Sequence, residues 1–215
     1  MTAATWRASA FVLVALLTSP AQAQSEAAAE PAQARLQARV YGLGPLGPKA
    51  AGDHVDVDIR LRGGAIRIDF IGDNAPDAWL LNPGTRGRGW LVSESGNYSL
   101  PVADASGPYW YDPKAPCVQL GGRCSPAPGE FILGRLAAGW RYENALQGPD
   151  GTTSGTLWID VQTGLMLGYR GRTGSHGRER SLRATAVSFE TVPEEVFEAP
   201  SGLRTPAATQ PSAQR

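Results

Sequence analysis

The two cysteines of this chain, Cys117 and Cys124, enclose the sequence CVQLGGRC and are its most reactive side chains. Such a pair can form a disulfide in an oxidising compartment or contribute ligands to a metal site. The spacing does not match a metal-ligand pair, no histidine lies nearby, and Gly121–Gly122 lets a short loop close. We therefore predict a Cys117–Cys124 disulfide that holds a Pro- and Gly-rich loop, provided that the chain is exported.

A second set with possible metal-binding chemistry is His54, Asp56 and Asp58, which alternate along one stretch of chain. On a strand these three side chains would point to the same face and could act as ligands. The alternative is a solvated strand face in which aspartates meet arginines across a strand pair. We favour the solvated face and predict neither a metal nor a cofactor.

No catalytic motif is apparent in the sequence. The segment 151–155 reads GTTSG and does not match the nucleophile-elbow pattern G-x-S-x-G. Glu194 and Glu195 are adjacent and would face different ways on a helical turn, so they do not form an acid–base pair. The sequence therefore predicts a protein that is not an enzyme.

A basic run surrounds His176 and contains Arg170, Arg172, Arg178, Arg180 and Arg183. Such a run could meet a lipid headgroup or an acidic partner, or it could be a solvated loop, which we favour. The formal net charge of the whole chain is zero, which argues against nucleic acid as a main partner.

The first residues have the features of a signal peptide. Arg7 supplies the positive region, residues 8–17 are apolar but too short to span a bilayer, and residues 21–23 read AQA, a cleavage motif. We assign residues 1–23 to the signal peptide and expect a periplasmic protein without a transmembrane segment after cleavage. Residues 24–35 and 204–215 are predicted to be disordered, which leaves one domain over residues 36–203.

Alternating apolar residues predict two antiparallel hairpins. In the first, Val57, Ile59 and Leu61 pair across a Gly63–Gly64 turn with Phe70, Ile68 and Ile66. In the second, Gly164 takes a positive φ, and Val161, Ile159 and Leu157 face Leu165, Leu167 and Tyr169. We expect both apolar stripes on one side of a single sheet, with Trp158 and Met166 on the other side and Trp158 covering Gly168.

The remaining sequence favours short strands and turns over long helices. The chain is 42% hydrophobic and contains 26 glycines and 17 prolines. Five tryptophans follow the signal peptide, and they either pack in the core or line an apolar groove. They are Trp79, Trp90, Trp110, Trp140 and Trp158.

Several of these features together resemble the periplasmic lipoprotein-carrier superfamily and its uncharacterised relatives. They are the signal peptide, the Val55–Phe70 hairpin, the Leu157–Asp160 strand with its turn at residues 163–165, a closing strand, and the segment VPEEVFEAP at residues 192–200. The resemblance covers residues 36–203 at the level of pattern. It implies a mainly β fold: a single curved antiparallel sheet, an unclosed half-barrel, with a loop or short helices over its concave face.

Carriers of this kind hold acyl chains in the concave hollow, so the resemblance implies a non-enzymatic binding or carrier module for an apolar or lipid-like ligand. The alternative is a structural or interaction subunit of a cell-envelope assembly, with an envelope protein as partner and a core filled by its own side chains. The candidate ligand-binding residues are Ile59, Ile68, Phe70, Trp90, Ile159, Leu167 and Tyr169.

Overall fold

A computed structural model describes residues 32–42, 54–73, 75–84, 89–102, 107–175, 177–198 and 201–204. The predicted signal peptide, residues 24–31 of the predicted N-terminal segment and the tail from residue 205 onward lie outside the described residues. The described part folds around one β-sheet with very few helical turns.

Eleven strands form this sheet, and every neighbouring pair is antiparallel. Their bounds are β1 (Gln33–Tyr41), β2 (His54–Arg62), β3 (Ala65–Ile71), β4 (Trp79–Pro83), β5 (Gly89–Ser93), β6 (Tyr98–Val102), β7 (Arg123–Ile132), β8 (Arg135–Glu143), β9 (Ser154–Asp160), β10 (Met166–Arg172) and β11 (Glu179–Ser188). The helical turns are α1 (Cys117–Leu120) and two 3₁₀ turns, Pro149–Gly151 and Glu194–Phe197.

The strand order is β6-β5-β4-β3-β2-β1-β11-β10-β9-β8-β7, so β6 and β7 are the two end strands. They do not pair with each other within the described ranges, and the sheet is not closed. The predicted fold class, a mainly β chain with one unclosed antiparallel sheet, is confirmed. The first strand begins at Gln33, three residues before the predicted domain start at Leu36. No helix in the described ranges is long and apolar enough to cross a membrane.

The β2–β3 hairpin turns at Gly63–Gly64 in the predicted register. That register sets Asp58 opposite Asp69, a like-charged pair that would be unfavourable alone. Arg60 bonds to both carboxylates at 3.1 Å, and Arg35 from β1 bonds to Asp58 at 2.7 Å. Turn geometry therefore sets the register, and neighbouring arginines compensate the charges.

One row of side chains shows that the two predicted stripes share a face. From β2 to β8 it contains Val55, Val40, Leu182, Tyr169, Leu157 and Trp140. Residues directly opposite each other in neighbouring strands point to the same side of a sheet. The apolar residues of β2 and β9 therefore lie on one side, as predicted, and we call it the inner face.

The β9–β10 hairpin is predicted correctly away from its turn. Gly164 has a φ of +79°, Leu157 lies opposite Tyr169, and Trp158 lies opposite Gly168. A Cβ atom on Gly168 would lie 3.8 Å from the ring of Trp158, so the indole covers the missing side chain as expected.

Nearer the turn the predicted pairing is wrong. Ile159 pairs with Met166 and not with Leu167, because a β-bulge interrupts the ladder between Met166 and Gly168. Met166 is therefore buried in the same cluster as Ile159 instead of lying partly covered on the opposite side. Val161 does not complete the apolar stripe and is 39% exposed.

A buried carboxylate explains this shift. The Asp160 side chain accepts hydrogen bonds from Thr163, through both its backbone amide and its hydroxyl, and forms an ion pair with Arg135 at 2.7 Å. These bonds fold the chain back immediately after Asp160. The turn therefore begins one residue earlier than alternation alone predicts.

The opposite side of the sheet, the outer face, is covered by a segment that we call the C-terminal strap, residues 189–198. Its Val192 and Phe197 pack in a second apolar cluster with Trp79, Leu81 and Val92 of β4 and β5. Arginines of the β2–β3 hairpin donate to strap carbonyl groups. The strap thus gives the outer face of β3–β5 a core of its own.

Candidate functional site

The candidate ligand-binding residues fall into two groups. Five are buried in one cluster on the inner face. A sixth, Phe70, is half-buried and packs against that cluster. The five buried residues are Ile59, Ile68, Ile159, Leu167 and Tyr169. Trp90 is not among them, because it lies opposite Leu81 and packs against the outer-face cluster under the strap.

The centre of the inner face is packed. Ile59, Ile159 and Leu167 each have 0% exposure in the chain alone. Their neighbours in the cluster come from β1–β3 and β8–β11 and from a covering loop. The chain's own side chains fill the interior around these three residues, so any ligand would have to bind beside this cluster.

The covering loop, which we call the lid, is residues 107–122 and includes α1. At one end Tyr111 donates to the carbonyl of Gly164, and Met166 donates to the carbonyl of Tyr109, both at 2.8 Å. Leu120, at the other end, accepts from two amides of the β8–β9 connection. The lid is therefore bound to the β9–β10 hairpin at one end and to the β8–β9 connection at the other.

The predicted Cys117–Cys124 disulfide is present and joins the lid to β7. Both sulfur atoms are engaged, and the described ranges hold no free cysteine. Because Cys117 begins α1 and Cys124 lies in β7, the bridge ties the lid to the end strand of the sheet.

Two buried tyrosines, Tyr142 and Tyr169, bond to the β8–β9 connection. Tyr142 lies over Gly155 and Gly171, where a Cβ atom would come within 2.8 Å and 2.3 Å of its hydroxyl oxygen. That hydroxyl donates to Thr152 Oγ1, which in turn donates to a backbone carbonyl. Burial raises the pKa of Tyr142 to about 12. The hydroxyl therefore keeps its proton at neutral pH and acts as a structural donor.

Tyr169 is the second of these tyrosines. The hydroxyl of Tyr169 donates to the carboxylate of Asp150, whose backbone carbonyl accepts from Arg180. Burial and the nearby Asp150 carboxylate both hold the pKa of Tyr169 well above its ordinary value. The hydroxyls of Tyr142 and Tyr169 thus join the β8–β9 connection to β8 and β10, and the Arg180 guanidinium joins it to β11.

An open cleft lies between the lid, the β8–β9 connection and the ends of β2–β4, with a volume of about 840 Å³. Its apolar walls are formed by Leu61, Ile66, Tyr109, Trp110, Val118 and Leu146. Glycines, Pro108 and a few neutral amides complete the lining. Among the described residues that line it, none is Asp, Glu, Lys, Arg or His.

Two polar atoms of the cleft residues are buried without a partner in the described structure. They are Trp110 Nε1, a hydrogen-bond donor, and Gln119 Oε1, an acceptor. Val118 and Leu146 are instead largely exposed, at 80% and 85%. The cleft thus presents exposed apolar side chains, whereas these two polar atoms are out of contact with solvent.

Sequence reasoning missed most of this cleft. Tryptophans were expected to pack in the core or to line a groove, and Trp110 lines the cleft. Val118, Gln119 and Leu146 were not identified, because they lie in segments rich in Pro and Gly that have no apolar period. Only the disulfide indicated that this part of the chain is held in one place.

The other charged candidates are engaged in ion pairs. Asp56 bonds to Arg39 at 3.1 Å, and Asp58 bonds to two arginines on the outer face. In the basic run, Arg170 and Arg172 share Glu179. His176 lies outside the described residues. These contacts agree with the predicted pairing of aspartates with arginines, but Asp58 is 4% exposed, so the face is not solvated at that position.

No protein-family profile and no curated protein matches the chain significantly. Among solved structures, an uncharacterised conserved protein from Thermus thermophilus aligns with a TM-score of 0.53 at 8% identity, covering 81% of this chain and 90% of its own. A LolA superfamily protein from Nitrosomonas europaea aligns with a TM-score of 0.39 at 11% identity, and the alignment covers 79% of this chain and 90% of the matched chain. A chain of the MucA/MucB complex from Pseudomonas aeruginosa aligns with a TM-score of 0.47 at 17% identity, and the alignment covers 80% of this chain and 57% of the matched chain. At 8% identity, the likeness to the Thermus thermophilus protein shows a shared fold alone.

Proposed function

We propose that this chain is an exported, periplasmic, non-enzymatic binding module that takes an uncharged apolar ligand, of the acyl-chain type, into the cleft beneath its lid. The lining of the cleft is the observation that carries the proposal. Its volume of about 840 Å³ lies within the range of small-molecule sites. Because its described lining has no charged side chain, it suits a hydrocarbon segment better than a charged group.

The filled centre of the inner face favours a second candidate, an interaction subunit of a cell-envelope assembly. Ile59 and Ile159 are fully buried without any ligand, so this part of the sheet already has a complete core. In that case the cleft would receive an apolar segment of a partner protein instead of a lipid.

Fluorescence titration with an apolar naphthylamine dye and a dansyl fatty acid tests the first candidate. We expect the wild-type protein to bind both probes, and Val118→Asp and Leu146→Asp to weaken binding about tenfold by placing a charge in the cleft. Both side chains are largely exposed, so the fold should tolerate the changes. Ile71→Asp is the matched control, since Ile71 is 46% exposed and does not line the cleft.

Wild-type protein that binds neither probe, or cleft variants that bind as the wild type does, would contradict the lipid-like ligand. Native mass spectrometry of protein purified from periplasm then separates the two candidates, because it detects a bound lipid or a bound protein directly.

A further inference from the structure

The hairpin between β7 and β8 carries an exposed apolar surface that the cleft does not use. Phe131 is 72% exposed, Leu133 44%, Leu136 47% and Val161 39%. We call these four residues the hairpin-tip patch. Single exposed apolar side chains are ordinary on a protein surface, whereas the largest contiguous apolar patch of a monomer, about 300–600 Å², is often functional.

The register places three of the four patch residues side by side. Phe131 lies directly opposite Leu136, so the two side chains share one face of the sheet. The backbone amide of Val161 donates to the carbonyl of Leu136 at 3.0 Å, which extends the row to the β9–β10 turn. Strict alternation from Trp140 places this row on the inner-face side, beyond the point where the lid is attached.

At the tip an apolar residue adopts a backbone conformation that disfavours bulky side chains. Leu133 has a φ of +53° and Gly134 a φ of +74°, between Ile132 and Arg135, which pair with each other. A two-residue turn of this kind favours Asn-Gly, and a bulky side chain at its first position is unfavourable. A Cβ atom on Gly134 would meet nothing within 4 Å, so the turn projects away from the fold.

We propose that the hairpin-tip patch inserts into the surface layer of a phospholipid bilayer. Its size favours this partner over a protein. The four side chains expose on the order of 300 Å², whereas each partner in a stable protein complex buries about 800 Å². A projecting tip with a few apolar side chains is enough for reversible insertion, because membrane affinity scales with the apolar area buried.

The charges beside the patch indicate how it would bind. Arg135 is paired with Asp160, and Glu130 is paired with Arg183. These flanking charges cancel, so the tip presents no net field to anionic headgroups. Binding should therefore depend on insertion and be nearly insensitive to salt and to the fraction of anionic lipid.

This inference is independent of the ligand proposed for the cleft, because none of the four patch residues lines it. A protein with an empty cleft could still bind a bilayer through the tip. The two proposals can therefore fail separately.

Vesicle flotation of the mature chain tests the proposal. The probes are phosphatidylcholine vesicles and mixed phosphatidylcholine–phosphatidylglycerol vesicles, each at low and at high salt. We expect the wild-type protein to float with both kinds, and Leu133→Asn and Phe131→Ser to lower the bound fraction about tenfold. Ile71→Asn is the matched control, since Ile71 is comparably exposed away from the tip.

Leu133→Asn separates binding from folding. Asn is favoured over Leu at positive φ, so this variant should melt at the same temperature as the wild type or higher while losing vesicle binding. A mutation that acted only by damaging the fold would lower the melting temperature.

Four results would overturn the proposal. The first is wild-type protein that floats with neither kind of vesicle, and the second is Leu133→Asn protein that floats as the wild type does. Binding restricted to anionic vesicles and abolished by salt would indicate headgroup attraction instead of insertion. A wild-type dimer that Leu133→Asn converts to a monomer would identify the patch as a contact between two copies of the chain.

Discussion

At the scale of single residues, Asp160 has the most buried charge in the described structure and links three segments. Its side chain is 1% exposed and forms an ion pair with Arg135, while Thr163 donates to it from the turn. Burial alone would raise the pKa of Asp160, but the hydrogen bonds from Arg135 and Thr163 outweigh it. They hold the pKa below its ordinary value of 3.8.

A carboxyl group whose pKa is lower in the folded than in the unfolded state stabilises the fold above its unfolded-state pKa. That contribution is lost as the pH falls through the folded-state pKa. We therefore expect Asp160→Asn to lower the free energy of unfolding at pH 7 by about 1–3 kcal/mol, and the difference from wild type to shrink below about pH 4. Urea denaturation over a pH series measures both effects.

The matched control is Asp56→Asn. Asp56 also pairs with an arginine, but its side chain is 46% exposed, so its loss should cost less than about 1 kcal/mol. If the free energy of unfolding of Asp160→Asn stayed below that of the wild type by a constant amount from pH 7 to pH 3, the lowered pKa of the Asp160 carboxyl would not explain the loss of stability.

The role of Asp160 could not be predicted from the sequence, because Arg135 lies 25 positions earlier in the chain. Alternation treats Asp160 as one more strand residue, whereas its hydrogen bonds to Thr163 start the turn. A local pattern cannot show a partner that only the fold brings close.

At the scale of elements, the two hairpins differ in how far the sequence determines them. The β2–β3 hairpin has an uninterrupted alternation and a Gly63–Gly64 turn, and its whole predicted register is found. In the β9–β10 hairpin, the amide of Met166 donates to Tyr109 of the lid. The bulged strand is therefore also held by a distant segment, and the sequence predicts only the part of the hairpin away from the turn.

The lid is the element with the least local structure of its own, since α1 has four residues. We expect the double variant Cys117→Ser/Cys124→Ser to lose roughly 2–3 kcal/mol, because the disulfide closes a short loop and restricts the unfolded chain. Hydrogen exchange should become faster in the lid and in the β8–β9 connection, while the amides of β1 and β2 stay protected.

Val118→Ala, with the disulfide intact, is the control for this experiment. Val118 lies within the same loop but is 80% exposed, so its change should leave exchange in the lid as it is in the wild type. Equal hydrogen exchange in the double variant and in the wild type would mean that hydrogen bonds alone hold the lid.

At the scale of the whole molecule, the two faces of one sheet are covered by different parts of the chain. The lid covers the inner face, and the C-terminal strap covers the outer face of β3–β5. The sequence predicts one sheet with an apolar inner face. It does not show that Trp90 faces outward, because the strap that buries it lies about a hundred residues later.

The strap should be part of the same cooperative unit as the sheet. Its Phe197 is 7% exposed and shares a cluster with Trp79, whose ring lies 3.9 Å from the guanidinium carbon of Arg67. Arg67 also donates to the carbonyl of Val196 in the strap. Apolar contacts and hydrogen bonds thus join the strap to β3 and β4.

We expect Phe197→Ala to lower the free energy of unfolding by about 3–5 kcal/mol, through lost apolar burial and the cavity that it leaves. Glu195→Ala, two residues earlier on the exposed side of the same 3₁₀ turn, should change it by less than about 0.5 kcal/mol. Denaturant unfolding followed by both tryptophan fluorescence and circular dichroism measures the change. A single shifted transition in both signals would show that strap and sheet unfold together. An early fluorescence transition with the circular dichroism midpoint unchanged would show instead that the strap detaches on its own, leaving the sheet folded without it.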